Sequence, residues 1–213
     1  MMTILDRTPA DTFQEASTPV IETERLVLRA PRLEDAKRIL ALANDRRIAE
    51  NTTRIPHPYG LADAKEWLGA VVSQGNSDNF LITVGGEVIG ACGYDLRNSI
   101  PEIGYWLGVP FWGHGYATEA ARALVDHAFG ERFCPALHAG ARVSNPASRR
   151  VLEKCGFQWT GVGLYRIRAI SSSAPIDRFR LERGIWSSLK SWGATRKPGK
   201  AVGVDKARKS PLM

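Results

Sequence analysis

Two helix starts marked by glycine, proline and asparagine constrain this chain more than any other feature. The first is Trp112-Gly113-His114-Gly115-Tyr116-Ala117-Thr118-Glu119-Ala120. The second is Asn145-Pro146-Ala147-Ser148-Arg149-Arg150, running on to Cys155-Gly156-Phe157. Gly113 and Gly115 carry no Cβ, so the backbone can bend sharply there and approach a ligand closely. Beyond Thr118, apolar residues recur at Ala121, Leu124, Val125, Ala128 and Phe129, which is helical spacing. Tyr116 or Thr118 therefore sits near a helix N-terminus, where unpaired N–H groups and the helix dipole favour a phosphate. An ordinary glycine loop entering a helix has the same spelling, so that reading stands beside the phosphate one. No Gly-Lys-Ser/Thr follows, which excludes a Walker loop. The third glycine of a dinucleotide fingerprint falls on Thr118.

The second start is better defined. Pro146 suits the first helical position and Gly156 the position just past the end. Asn145 then caps the helix by holding an N–H of its first turn, with Ser148 in that turn. Both roles are ordinary helix chemistry, and both residue types also suit a ligand. Val151, Leu152 and Cys155 form an inward stripe, leaving Arg149, Arg150, Glu153 and Lys154 on the wet face.

Around these two starts the elements alternate. Arg25–Arg29 reads as a strand, and Leu33–Ala49 as a helix with Glu34 and Asp35 in its first turn. Ala62–Val72 is a second helix, with Trp67, Leu68 and Val71 inward. Phe80–Val84 and Glu87–Tyr94 form a hairpin about Gly85-Gly86. The Ile103 strand, the Thr118 helix, a Leu137–Val143 strand and the Pro146 helix follow. Gly163–Ile170 and Asp177–Glu182 close the chain as a hairpin turning over Ser171–Pro175. Strands mixed with four helices predict a central sheet covered on both faces.

Length permits one domain with a sizeable core. Residues 20–192 read as that domain, with 1–19 a flexible extension and 193–213 a basic disordered tail. The stretch from Ala194 to Met213 holds six basic residues and one acid, and so carries most of the formal +7 charge. The folded part is near neutral. The tail suits a contact with ribosome, nucleic acid or acidic protein, or it is simply a solvated end. No apolar stretch approaches a membrane span, and the N-terminus lacks the pattern of a secretory signal. Cys92, Cys134 and Cys155 are widely spaced in apolar surroundings. They read as reduced core thiols of a cytoplasmic protein, not as a metal set or a disulfide framework.

The two starts, together with other ordered pieces, resemble the GCN5-related N-acetyltransferase (GNAT) superfamily. Within it, they resemble the RimJ/RimL-like branch that acetylates the N-termini of ribosomal proteins. The pieces are Ile21-Glu22-Thr23-Glu24-Arg25-Leu26-Val27-Leu28-Arg29, Leu33-Glu34-Asp35-Ala36, Ile55-Pro56-His57-Pro58-Tyr59, Ile103-Gly104-Tyr105-Trp106-Leu107 and the close near Arg183 and Trp186. The resemblance implies an α+β, three-layer α/β/α fold. Its central sheet is mixed, mostly antiparallel, and splayed between two central parallel strands.

The resemblance also implies acetyl-CoA. The family's pyrophosphate pattern falls on Trp112, Gly115 and Ala117, with Trp112 replacing the usual polar first residue. Backbone N–H groups from His114 through Gly115, Tyr116 and Ala117 to Thr118 would still cradle the phosphates, Gly113 allowing the approach. Trp106, Leu107, Gly108 and Val109 would line the pantetheine arm. An N–H near Leu107 would hold the thioester carbonyl as an oxyanion donor. Asn145 and Ser148 would face the thioester end. The tyrosine acid of many members falls on Leu152, so Ser148 is the substitute acid. Glu102 is the candidate base, with an exposed strand-end carboxylate as the plain alternative. His57 and His114 are the other titratable options, and His57 and Tyr59 share a loop that in the family borders the acceptor. No metal is implied.

The expected activity is acetyl transfer to a primary amine by direct attack in a ternary complex, a protein N-terminus being favoured. The alternatives are a small-molecule or antibiotic amine as acceptor, or a CoA-binding module without turnover that works through its basic tail. Both a monomer and a homodimer are compatible with the sequence.

Overall fold

The computed structural model describes residues 19–73, 78–97, 100–131 and 134–195. Residues 1–18 and 196–213, which hold the expected extension and nearly all of the basic tail, lie outside the described residues. Eight strands form one sheet in the order β1-β2-β3-β4-β5-β6-β8-β7. They are β1 Ile21–Glu22, β2 Val27–Arg29, β3 Asn79–Val84, β4 Glu87–Arg97, β5 Ile100–Leu107, β6 Ala136–Arg142, β7 Gln158–Ile167 and β8 Ser172–Glu182. Every neighbouring pair is antiparallel except β5 with β6. The helices are α1 Ala36–Ala43, α2 Arg46–Ala49, α3 Leu61–Ser73, α4 Tyr116–Glu131, α5 Pro146–Lys154 and α6 Arg183–Thr195.

Alternation along the strands divides the core in two. Phe80 and Ile82 of β3, Cys92 of β4, and Ile103 and Leu107 of β5 pack with Ala120, Leu124, Ala128 and Phe129 of α4. Leu152 of α5 and Cys155, just after it, join the same cluster. Leu81, Val88 and Ala91 point the other way, onto Ile39 and Leu42 of α1 and Leu68 of α3. The mixed, mostly antiparallel sheet is thus covered on both faces, as the resemblance implies. All three cysteines are buried free thiols. The β3–β4 hairpin turns over Gly85 and Gly86, whose φ angles of +55° and +83° suit a residue without a Cβ.

The chain departs from the sequence reading in three places. The helix expected over Leu33–Ala49 is divided into a 3-10 turn at Leu33–Asp35, α1 and α2. Asp45 adopts an extended conformation and its carboxylate takes the N–H of Arg47, so it starts a new helix. The freed Asn44 Oδ1 accepts the N–H of Tyr59 at 3.0 Å, which fastens the loop after α2 beside the sheet. The closing hairpin turns earlier than expected. Residues 168–170 form a 3-10 turn ending at Ser171 (φ +50°), and Ser172–Pro175 belong to β8. Pro175 fits there because its backbone faces the frayed end of β6, where its carbonyl takes the N–H of Val143 at 3.2 Å. Finally, α6 follows β8 and runs to Thr195. Its Trp186 packs on Phe129 and donates to Asp126 at 2.6 Å. Its helical signal is weakened by Gly184, Gly193 and three serines.

Candidate active site

β5 and β6 share only two rungs, Glu102 with His138 and Ile103 with Ala139. Beyond them β5 pairs with β4 alone and β6 with β8 alone. The strands therefore part at the middle of the sheet. Gly108 donates its N–H to Ile89 at 2.8 Å. Backbone groups alternate in direction along an antiparallel ladder, so Leu107, one residue back, turns its N–H and C=O into the parting. The Trp112 indole Nε1 donates to that C=O at 2.8 Å. Trp112, polar at its Nε1, thus ties the start of the glycine turn to the end of β5.

The turn has φ +80° at Gly113 and +81° at Gly115. It delivers the chain into α4 with the N–H groups of Gly115, Tyr116 and Ala117 meeting no acceptor among the described residues. Those of Thr118 and Glu119 return to the Gly115 carbonyl, each at 3.1 Å. Such a run of aligned N–H groups at a helix start is what an anionic group requires.

The segment before β2 braces the turn. The Arg25 guanidinium donates to Glu119 Oε2 at 2.7 Å and to the His114 carbonyl at 3.0 Å, and it lies over the Tyr116 ring. Thr23 Oγ1 and the Arg25 N–H donate to Glu119 Oε1 at 2.7 and 2.8 Å. Burial raises the Glu119 pKa, but these donors outweigh it and hold the carboxyl below its ordinary value.

A cleft of about 870 Å³ covers the parting. Leu107, Trp112, Gly113, Gly115, Tyr116, Ala117 and Thr118 line it on one side, and Asn145 and Ser148 on the other. Trp106 and Glu102 also face it. Gly108, Val109 and His114 do not. Gly108 is buried with its N–H committed to Ile89, Val109 opens a 3-10 turn, and His114 is exposed and stacked on Tyr116. His57 is exposed and outside the cleft, whereas the buried Tyr59 lines it. Burial pushes the Tyr59 phenol up to about 12. Among the described residues no three His, Cys, Asp or Glu gather as a metal site.

Asn145 Oδ1 accepts the N–H of Ser148 at 3.1 Å, the helix cap expected of it. Ser148 Oγ lies 3.0 Å from the Tyr105 hydroxyl, which also reaches the Ser148 carbonyl at 3.2 Å. Burial drives the Tyr105 phenol well above its ordinary pKa, so it stays a neutral donor. Leu152 is fully buried and takes no part. Cys92 and Cys155 are held as thiols by burial, Cys155 with a pKa of about 11.

Glu102 lies on the sheet face opposite Ile103 and Leu107, five residues or about 16 Å of strand before Leu107. A carboxylate there is out of contact with a group at Leu107, and more than one water would have to bridge the gap. On the same face His138 is kept below its ordinary pKa by burial and by Arg180, against the pull of Glu102.

Sequence reasoning missed several lining residues. Arg150 and Lys154, read as wet face, line the cleft from α5. Their spacing of four beside a glycine turn is the signal that marks them. Tyr105 and Arg25 carry no local signal, because their partners lie 43 and 94 residues away.

Comparison with known proteins agrees with this geometry. Residues 25–158 match the acetyltransferase (GNAT) domain. The uncharacterized N-acetyltransferase p20 of Bacillus licheniformis is 33% identical over 147 residues, covering 66% of this chain and 83% of that protein. The uncharacterized N-acetyltransferase YoaA of Bacillus subtilis is 26% identical over 156 residues, covering 68% and 85%. Among solved structures, Mycobacterium smegmatis RimJ in complex with CoA-disulfide shares the fold at a TM-score of 0.71 and 18% identity, covering 84% of this chain and 96% of that one. RimL, a ribosomal L7/L12 alpha-N-protein acetyltransferase in complex with coenzyme A, does so at 0.67 and 18%, covering 77% and 98%. By its matched domain and these relatives, the chain is an acyltransferase and belongs to the GNAT acetyltransferase family.

Proposed function

We propose that the chain transfers an acetyl group from acetyl-CoA to a primary amine, with a protein N-terminus as the favoured acceptor. The observation that carries this reading is the parting of β5 and β6, with the Leu107 N–H turned into it and the unpaired N–H groups of the α4 start beyond. The residues fit the cofactor. A side chain at Gly113 or Gly115 would have to adopt the left-handed backbone of the turn, and Arg150 and Lys154 add positive charge nearby. Acetyl-CoA would supply the acetyl group as a thioester, with CoA departing as the thiolate.

The chain's own part is to hold and to move protons. The N–H groups of Gly115, Tyr116 and Ala117 hold phosphate oxygens, and the Leu107 N–H holds the carbonyl oxygen, where negative charge develops. Ser148, oriented by Tyr105, returns a proton to the leaving sulfur. Glu102 takes the proton of the incoming ammonium through a chain of waters. With Cys92 and Cys155 buried and held as thiols, the amine attacks directly in a ternary complex. The preference for a protein N-terminus draws support from RimJ and RimL sharing the fold.

The test is thiol release from acetyl-CoA by the full chain, with short peptides of varied N-terminal residue and with small amines as acceptors. Release with peptides and N-terminal acetylation seen by mass spectrometry support the reading. Release with small amines alone overturns the preference. Acetyl-CoA binding without release on any amine overturns the transfer.

A further inference from the structure

One cation of the cleft, Arg142, keeps a buried donor without an acceptor. Arg142 ends β6. Ala139 and Ala141 point into the core with α4, so His138, Gly140 and Arg142 lie on the opposite face. That face also carries Glu102 and Gly104 of β5, the side from which an amine meets the parting. Arg142 lines the cleft, and its Nη1 donates to the Glu50 carbonyl at the end of α2 at 2.8 Å. Its Nε is shut away from solvent with no acceptor. No other hydrogen bond or ion pair holds the guanidinium among the described residues.

Three other cations of the cleft are paired. Arg47 pairs with Asp45 at 2.7 Å, Arg54 with Asp95 at 2.5 Å, and Arg168 with Asp63 at 3.5 Å. The Glu50 carboxylate pairs with Arg46 at 2.5 Å and feels the Arg142 charge without making an ion pair with it. A buried donor without an acceptor is costly and rare, and calls for a partner.

We propose that Arg142 receives a carboxylate carried by the acceptor amine. The proposal rests on the transferase reading above. Nε and Nη2 form the edge of the guanidinium that Glu50 leaves unbonded, and once a side-chain shift opens Nε to the cleft that edge matches the two oxygens of a carboxylate. The substrate class is therefore an amine with one carboxylate nearby. An acidic residue close behind a peptide N-terminus supplies it, and so does a small amino acid.

The experiment uses matched pairs with the full chain and acetyl-CoA. One pair is two short peptides that differ only by glutamate or glutamine behind the N-terminal residue. The other is a small amino acid and its amide. The reading is the acid-to-amide ratio of kcat/KM, internal to each variant, so a general loss of turnover or stability cancels. The expected ratio is on the order of tenfold or more, carried by KM. It falls to about one in Arg142→Gln and is partly kept in Arg142→Lys, which retains the charge without the fork. Which pair shows the ratio tells peptide from small amine. A ratio near one in the unaltered chain, or one unchanged in Arg142→Gln, overturns the proposal. If no amine is acetylated, the transferase reading fails separately. The same pairs are then titrated calorimetrically into the CoA-loaded protein. Tighter binding of the acid, lost in Arg142→Gln, supports the proposal, and equal or absent binding overturns it.

Discussion

At the scale of single residues, the contact between Ser148 and Tyr105 makes the sharpest prediction. The two hydroxyls are 3.0 Å apart and the phenol stays protonated, so the pair is one donor unit. A positioned general acid is worth 10²- to 10⁴-fold, and a thiolate, a modest base, needs less help than that. Ser148→Ala and Tyr105→Phe should each lower kcat on the order of tenfold, and the double variant should fall little further. Thiol-release rates of the three variants check this. A doubled effect, or none, would separate the two residues. The legible part of the site was local. Asn145, Pro146, Gly113 and Gly115 announce themselves because a cap and a left-handed turn are decided within a few residues. Tyr105 against Ser148, Arg25 against Glu119 and Arg142 against Glu50 were not legible. Each joins elements far apart in sequence, and only the fold sets them side by side.

The element scale shows how the glycine turn is kept in shape. α4 begins at the turn, but the β2 side of the sheet holds it, through Thr23 and Arg25 on Glu119. Because the folded pKa of Glu119 lies below its ordinary value of 4.5, this contribution is complete above 4.5. It is lost as pH falls through the lower folded value. Glu119→Gln should therefore flatten the acid limb of the stability curve, as read from denaturant midpoints at neutral pH and below pH 4.5. It should also weaken acetyl-CoA binding at neutral pH by loosening the turn. An unchanged acid limb would remove Glu119 from this role. Elements were read well where periodicity was strong, as in α4 and the β3–β4 hairpin. They were misread where one side chain outweighed it. Asp45 starts a new helix inside an apparently continuous one, and Pro175 sits within a strand at the one edge that tolerates it.

For the whole molecule, ligand binding couples to unfolding. At ~100-fold over its dissociation constant, acetyl-CoA should stabilise the fold by about 2.7 kcal/mol. For a domain of this size that is a rise in Tm of about 5–10 °C, at roughly 2–4 °C per kcal/mol. Gly115→Val should lose most of the rise, because a β-branched residue does not adopt φ +81° without strain. A thermal melt with and without acetyl-CoA measures both, and an equal rise in the variant would exclude the turn as the phosphate cradle.

The two-rung ladder between β5 and β6 also divides the sheet into a five-stranded half and a three-stranded half that share few backbone bonds. Beyond those two rungs, amide protons along the inner edge of β5, above all that of Leu107, have no strand across from them to slow their exchange with water. Those on the β4 side, such as that of Gly108, do. The ligand-free protein should therefore carry a line of fast-exchanging amides through the middle of an otherwise protected sheet. Acetyl-CoA should slow exchange along that line first, acting on the backbone as a temporary strand. Hydrogen–deuterium exchange followed by peptide-level mass spectrometry would register the seam closing.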